Sequence, residues 1–423
     1  MTPLLPPRGP QRTLALAQLS NSVGDGAYYV TSALYFTHVV GLSPARIGLG
    51  LTVAWAVGSI VGAPLGSLAD RRGPRGTAVL LALATAVSVA SFLVVRDFAA
   101  FVGAACVYAT AQSGLAASRQ ALLAGLVGRA ERTRVLAHLQ STGNGGLTIG
   151  AGLGGVALSV GGHSAYLAVF ALDAVSFLLC AFVLFRLPAP PPAPPVQGAT
   201  LQVLRDRPYA VLTLLNAVLL LRMPLLSIAI PLWITERTTA PEWLVSALFI
   251  LNCGAVMLFQ VRMATGITGL ATATRALRRS GLLMVPTCAV FALSARGTPW
   301  VAAAVLVVGA VLLVIAEMWQ SAGAWQLSFD LAPAGRIGEY QGFFGTGVTI
   351  ARTAGPLLLT LLLIDLGTAG WLLTGGLLAL ASYALGPVSR WAARTRTAAD
   401  SRGSGRGSEP GPGLADGAEQ LVE

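Results

Sequence analysis

Lysine is absent from this chain: all 28 basic residues are arginine. Together with abundant alanine and glycine, that bias points to a GC-rich coding genome and carries no chemistry. Charge of either sign is scarce, 11% of residues against roughly 25% in a soluble domain, and 55% of the chain is hydrophobic. A water-soluble globular domain is excluded. Cysteine is limited to Cys106, Cys180, Cys253 and Cys288, each alone in a separate apolar run. With no CxxC there is neither a disulfide framework nor a zinc site, and the four read as small buried hydrophobes. His38, His138 and His163 are scattered, so no metal-ligand spacing exists. No GxSxG, HExxH or Walker loop occurs, which leaves an enzyme without a nucleophile and a pump without a nucleotide site. The net charge of +11 invites a nucleic-acid partner, but the arginines lie in short loops between apolar runs and form no stripe on one soluble face. Attraction to an anionic inner membrane leaflet explains the excess better.

What the chain has is apolar runs long enough to cross a bilayer as helix, about 20 residues each. Twelve are expected, at 13–41, 45–69, 77–95, 98–124, 137–161, 164–186, 209–234, 243–264, 280–296, 300–325, 338–365 and 368–390. Arg8 and Arg12 precede the first, which is too long for a signal-peptide core and is read as an uncleaved span. The fold class is thus all-α and integral to the membrane. An even number of spans puts both termini on one side. The loops of the other side hold only Arg46, Arg96, Arg237 and Arg296, so both termini are expected in the cytoplasm. PAPPPAPP and LRDRP, between the sixth and seventh runs, read as an extended spacer. The expected organisation is a segment 1–12, a six-helix bundle 13–186, a linker 187–208, a second bundle 209–390 and a disordered tail 391–423.

Between the second and third runs stands GSLADRRGPRG, Gly66 to Gly76. It resembles the signature of the major facilitator superfamily, Gly-x-Leu-Ala-Asp-Arg-x-Gly-x-Arg, through Gly66, Leu68, Ala69, Asp70, Arg71, Gly73 and Arg75, with Pro74 in place of a basic residue. Span 5 carries GLTIGAGLGG, which also satisfies GxGxxG. A dinucleotide loop needs a strand before it and a helix after it, and here the glycines lie inside a membrane run. Gly146, Gly150, Gly154 and Gly155 instead suit close helix packing. They resemble the superfamily's antiporter signature on this helix, with Ala151 where the proline would be. Span 11 repeats the pattern in GVTIARTAGP, with Gly355 and the kink-forming Pro356. Asn21 and Asn216 align spans 1 and 7, and the stretch from Gly266 to Arg279 is the counterpart of the Asp70 loop without its acid. The resemblance covers residues 12–390 and implies two pseudo-symmetric six-helix bundles that rock about a central site. It is nearest to bacterial drug and siderophore efflux members. It further implies that Asp70 approaches the start of span 11, near Gly338 to Gln341, when the inner gate closes.

Ionisable residues inside spans are candidates for function. Asp25, Asn21, Tyr28 and Ser32 recur at helical spacing and share one face, and a buried carboxylate there can exchange a proton for substrate. Glu317 opens a second stripe with Ser321 and Ser328, flanked by Trp319 and Trp325. Arg119 either snorkels to the headgroups or serves the site. Asp173 reads as a packing residue. Arg222, aligned with Ala27, falls opposite the Asp25 face, and Arg352 shares a side with Thr349 and Pro356. The aromatics Tyr28, Tyr108, Trp325 and Phe343 favour a weakly polar or cationic cargo over a sugar. The expectation is a proton-coupled exporter in the plasma membrane, monomeric, with lipid, protons and a small molecule as partners and with no cofactor, metal or nucleic acid. The rivals are an importer of the same fold and a transport-inactive membrane sensor.

Overall fold

The computed structural model describes residues 6–160, 162–191, 201–241 and 243–405, which form helices and turns with no strand. The first six spans are Pro10–His38, Pro44–Arg72, Pro74–Ser91, Phe98–Leu126, Arg132–Val160 and Gly162–Phe185. Span 7 is broken into Arg207–Leu219, a turn at Arg222–Pro224, a π turn at Leu225–Ala229 and the helix Ile230–Arg237. Leu244–Ala264, Leu270–Leu293, Pro299–Asp330, Ile337–Thr360 and Thr368–Gly405 are spans 8 to 12.

Local chemistry sets the ends. Proline opens spans 1, 2, 3 and 10, where its missing N–H costs nothing and its fixed φ suits the helix. Asp97 and Asp206 cap spans 4 and 7 by accepting the N–H groups of Ala100 and Tyr209 at 2.8 and 3.0 Å. Gly73 alone separates spans 2 and 3, at φ 100°, a left-handed conformation that favours glycine.

The two halves repeat one packing scheme. Span 1 lies against spans 5 and 6, span 3 against 4 and 6, and span 2 against 4; spans 7, 9 and 8 make the equivalent contacts with 11 and 12, 10 and 12, and 10. Between the halves, span 2 meets 11 and span 5 meets 8, and each pairing is the other's symmetry counterpart. This is the twelve-span, two-bundle architecture of a multi-pass membrane protein.

Among the described residues, eight helices are long and apolar enough to cross a membrane, and Ala334–Gly355 with Leu357–Leu363, bent by 45°, makes a ninth. The bend falls at Pro356, whose side chain is outside the described set; a proline there removes a backbone bond and kinks the helix. The spans that fall short are 1, 5 and 7. They carry Asn21, Asp25, Gln140, Asn216 and Arg222, described below.

Several expected boundaries move. Span 12 continues as helix to Gly405, past position 390 where a disordered tail was expected, and residues 406–423 lie outside the described set. Arg396 explains part of the extension, since its guanidinium pairs with Asp206 at 3.0 Å. The linker is more than a spacer. Residues 192–200 are outside the description, but the Val203 N–H donates to Glu339 Oε1 at 2.9 Å, and Arg75 Nη1 donates to the Leu187 carbonyl at 3.0 Å. The loop expected over Gly266 to Arg279 is short, because span 9 begins at Leu270 and its arginines sit on the first helical turns.

Glycine sets the spacing within and between halves. A Cβ on Gly146 would meet Ser22 Cβ at 2.8 Å, one on Gly150 would collide with the Val23 carbonyl, and one on Gly154 would lie 3.0 Å from the Ala27 carbonyl, whereas Gly155 faces open space. A Cβ on Gly355 would meet Pro224 Cγ at 2.5 Å, so span 11 closes on span 7 at its break. Between halves, Gly66 abuts the Gly338 carbonyl, and a Cβ on Gly342 would meet the Gly62 carbonyl at 2.5 Å. Gly62 and Gly66 face Gly338 and Gly342 as two small-xxx-small pairs.

The two kinds of contact predict different defects. Gly150→Val overpacks the interior of one half and should lower the thermal stability of the purified protein by about 1–3 kcal/mol. Gly66→Val strains only the seam between halves. It should leave thermal stability near wild type and raise thiol labelling of a reporter, Ala324→Cys, from the Asp70 end. Equal loss of stability in both variants would show that the seam is part of the folding core.

Candidate functional site

The halves enclose a central cavity with two adjoining lobes of about 320 and 460 Å³. Both lobes touch Asp25, Gln112, Gln120, Gln140 and Trp325. Gln120, Gln140, Trp325 and Gln341 lie toward the Asp70 ends of their spans and form the floor of the larger lobe, while the smaller lobe reaches further that way, to Leu14, Leu123 and Leu136. Tyr29, Trp55 and Arg352 lie toward the other ends, where Tyr29 is 52% exposed, so the cavity widens away from the Asp70 end.

Below the floor the halves are stitched together. The Gly338 and Glu339 N–H groups, at the start of span 11, donate to Asp70 Oδ1 and Oδ2 at 2.9 and 3.0 Å. These are donors with no intrahelical partner, and a carboxylate satisfies two at once. The Thr133 hydroxyl donates to Gln326 and the Ser141 hydroxyl to the Met257 carbonyl. Arg129 pairs with Asp330 at 3.0 Å. Higher up, the Ser59 hydroxyl donates to Thr349 Oγ1 at 2.5 Å.

In the first half, Asn21 Nδ2 donates to Asp25 Oδ2 at 3.1 Å, and Arg119 Nη1 donates to Asn21 Oδ1 at 3.1 Å. The amide thus stands between the acid and the base. The Tyr108 hydroxyl and Gln112 Nε2 approach Asp25 Oδ1 at 3.4 and 3.5 Å. Asp25 is only 8% exposed yet lines both lobes. Arg119 therefore serves the cavity and does not snorkel outward.

The second half is tighter. Arg222 Nη1 lies 2.9 Å from Glu317 Oε1. Its Nε donates to Gln320 Oε1 and its Nη2 to the Ser321 hydroxyl, each at 3.0 Å. Asn252 Nδ2 donates to Glu317 Oε2 at 2.9 Å. Gln320 Nε2 donates to Asn216 Oδ1 at 2.9 Å, repeating in this half the bond that Arg119 makes to Asn21.

The expected residues divide accordingly. Asn21, Asp25, Arg119 and Glu317 reach the cavity. Tyr28 does not: it packs against Tyr108 and Phe170 with ring centroids 5.8 and 5.6 Å away, and Tyr29 takes the cavity position. Ser32 lies half-buried beyond that aromatic cluster and does not line the cavity. Ser328 exchanges hydrogen bonds with Gln341 beneath the floor, and Phe344 replaces Phe343 at the wall. Asp173 is fully buried beside Ser176, which fits its packing assignment. Arg222 enters the cavity although the alignment placed it opposite, because the first helix of span 7 ends at Leu219 and Arg222 opens a separate turn that closes at Pro224. Arg352 lines the larger lobe with its guanidinium 5.8 Å from the centre of the Trp55 ring. Of the signature, Arg71 and Arg72 are exposed, and Arg75 also stacks over Phe185 at 5.4 Å. Gly338 is where Asp70 was expected to approach span 11; Gly62 and Gly342 were missed, although their i, i+4 spacing from Gly66 and Gly338 is readable in the sequence. No group of metal-ligating side chains occurs among the described residues.

The sequence profile described as Major Facilitator Superfamily matches residues 14–356. No curated protein matches the chain. Among solved structures, a bacterial homologue of the iron transporter ferroportin in an outward-facing state is similar at TM-score 0.74 and 14% identity, over 91% of this chain and 100% of that one. The human organic anion transporter MFSD10 gives TM-score 0.66 and 18% identity over 89% and 100%. The E. coli fucose:proton symporter FucP gives 0.65 and 12% over 90% and 98%. At these identities the likeness is one of fold.

The Arg222–Glu317 pair generates a test of its own. Removing one partner leaves a buried charge uncompensated and should cost about 3–5 kcal/mol. Arg222→Gln and Glu317→Gln should each lower the unfolding temperature strongly, and the double variant should recover most of the loss. Additive losses in the double variant would mean that the two charges are separately solvated.

Proposed function

This chain belongs to the major facilitator superfamily, and from that premise we propose that it is a proton-coupled secondary active transporter of a small organic molecule, working by alternating access. The observation that carries the reading is a central cavity closed at one end by contacts between the halves, with Asp25 on its wall and an amide between that acid and the nearest arginine. A carboxylate so held can gain and lose a proton without breaking an ion pair, whereas Glu317 is committed to Arg222. Asp25 is the proton-responsive group, and the Asp70 contact is the inner gate.

We assign the arginine-rich end, with both termini, to the cytoplasm of a plasma-membrane protein. The cavity then opens outward, as in the outward-facing bacterial relative. The chain works as a monomer, since each half already finds its partner within the chain. Export was expected from the resemblance to drug and siderophore efflux members, whose antiporter signature the span-5 glycines match apart from Ala151. Those glycines here seat span 5 against span 1, a task that either direction of transport requires. A cationic cargo was also expected, but the cavity holds Arg119, Arg222 and Arg352 against Asp25 and Glu317, and that balance weighs against it.

Two variants test the reading in proteoliposomes containing a trapped pH dye, against a panel of small organic acids, amines and neutral solutes. Asp25→Asn should abolish gradient-driven accumulation and keep solute exchange without a gradient. Full accumulation by this variant would remove Asp25 from coupling. Asp70→Asn weakens a charged helix cap worth up to about 2 kcal/mol when partly buried, which shifts the closed-end population roughly fivefold to thirtyfold. Transport should fall with expression unchanged, and normal flux would show that the cap does not gate.

A further inference from the structure

The charges in the cavity are not evenly matched. Arg222 is neutralised by Glu317, and its remaining donors are taken by Gln320 and Ser321. Arg119 has one hydrogen bond, to the Asn21 amide. Arg352 has no hydrogen bond and no carboxylate partner among the described residues, and rests on Trp55. A guanidinium stays ionised under all ordinary conditions. Outside the Arg222–Glu317 pair the site therefore presents two arginines, Arg119 on span 4 and Arg352 on span 11, to one carboxylate, Asp25, and the excess grows by one charge whenever Asp25 is protonated.

Arg352 lines the larger lobe with its guanidinium 5.8 Å from the centre of the Trp55 ring, and a guanidinium whose N–H donors have no other partner can grip an acid group. Tyr29, Trp55, Trp325 and Phe344 line the same lobe and offer aromatic surface to the body of a ligand. Resting on the transport reading above, we propose that the cargo is a small organic monoanion with an apolar or aromatic body, its acid group held by Arg352, and that it moves in the same direction as the proton.

The direction follows from linkage. Protonating Asp25 removes the one negative charge that opposes an anion at Arg352, so proton and anion each strengthen the binding of the other. A pair that binds cooperatively travels together, whereas a cationic cargo would compete with the proton and exchange against it. The titratable and charged groups around Asp25 are Tyr28 and Tyr29 on its own span, Tyr108 and Arg119 on span 4, Asp173 and Cys180 on span 6 and Arg352 on span 11. Arg119 and Arg352 are the two that an incoming anion can reach from the cavity, and Arg352 is the one without a competing hydrogen bond.

The probes are naphthalene-2-sulfonate, whose charge does not vary with pH, and 2-naphthoate, against the neutral 2-naphthamide and a naphthyl trimethylammonium cation. Binding to the purified full-length protein is measured by calorimetry at several pH values, and flux in proteoliposomes under an imposed proton gradient. Both anions should bind, more tightly as pH falls, and should enter down the proton gradient. Asp25→Asn should bind the sulfonate at high pH about 5- to 150-fold more tightly than wild type, with the pH dependence removed. Arg352→Gln should weaken both anions about tenfold or more, while Arg352→Lys, which keeps the charge but loses the forked donors, should fall between that variant and wild type. Binding of the cation in preference to the anions, absence of anion binding, or anion affinity unchanged in Arg352→Gln each overturns the proposal. Proton-driven flux of the cation would leave the transport reading standing while this one falls. Anion binding without proton-driven flux of any probe would do the reverse to proton coupling.

Discussion

The carboxylate of Asp70 on the Gly338 and Glu339 N–H groups, in the first turn of span 11, is the contact from which the shape of the molecule follows. A helix start offers donors that nothing within the helix can satisfy, and a carboxylate takes two of them at once. Span 2 can bring an acid to that point only because Gly66 and Gly338 have no side chains to hold the backbones apart. With the halves pinned there, the space between them can widen only toward the opposite end. Glu339, next to the capped donors, takes the Val203 N–H of the linker. Tyr340 donates to Asp206 at 2.9 Å, and Asp206 in turn receives Arg396 from the extension of span 12. Linker, last helix and gate thus meet at one place, and a change in the Asp70 contact is felt by all three.

Apolarity and function compete for the same residues. Spans 1, 5 and 7, the ones that do not form a long apolar helix, unbroken or bent once, line the cavity, and their polar groups bond to partners on spans 4, 8 and 10. The amide of Asn21 serves both Arg119 and Asp25, and Asn216 accepts from Gln320 the equivalent bond in the other half. Each half thereby ties its cavity wall to its neighbouring helix at the same depth. The cost of burying these groups is met by saturation in the second half and by partial hydration from the cavity in the first.

Much of this was legible in the sequence where the determinant is local. The Asp70 turn could be read because a glycine stop, an acid and a following proline act within ten residues of one another, and Asp25 because an acid inside an apolar run is costly wherever it points. What escaped depended on distant partners or on register. A helical face of about 100° per residue does not say whether Tyr28 or Tyr29 borders the cavity, since the choice is made by Phe170 and Tyr108 filling one side. The position of Arg222 could not follow from alignment with span 1, because the first helix of span 7 ends at Leu219 and Arg222 opens a separate turn. The arginines from Arg275 to Arg279 read as loop by charge, yet they occupy the first turns of span 9, with Arg278 stacked on Tyr383 at 4.7 Å. The gate partners Gly338 and Gly342 carry a spacing signal of their own, which becomes informative only once Gly62 and Gly66 are known to face them.

The two halves share a packing scheme but invert its charges. In the first the acid is on span 1 and the base on span 4; in the second the base is on span 7 and the acid on span 10. The inversion alone would make the halves electrostatic mirror images with the same behaviour. The difference lies in the intervening amide. Glu317 touches Arg222 directly at 2.9 Å, so protonating it would strand a buried guanidinium. Asp25 touches Asn21 instead, and an amide can hydrogen-bond either form of a carboxyl group by turning its donor or its acceptor toward it. One asparagine in the right position therefore separates a direct ion pair from an acid that, on the function proposed above, takes up a proton, and it does so within a scaffold whose symmetry would otherwise have made the two sites alike.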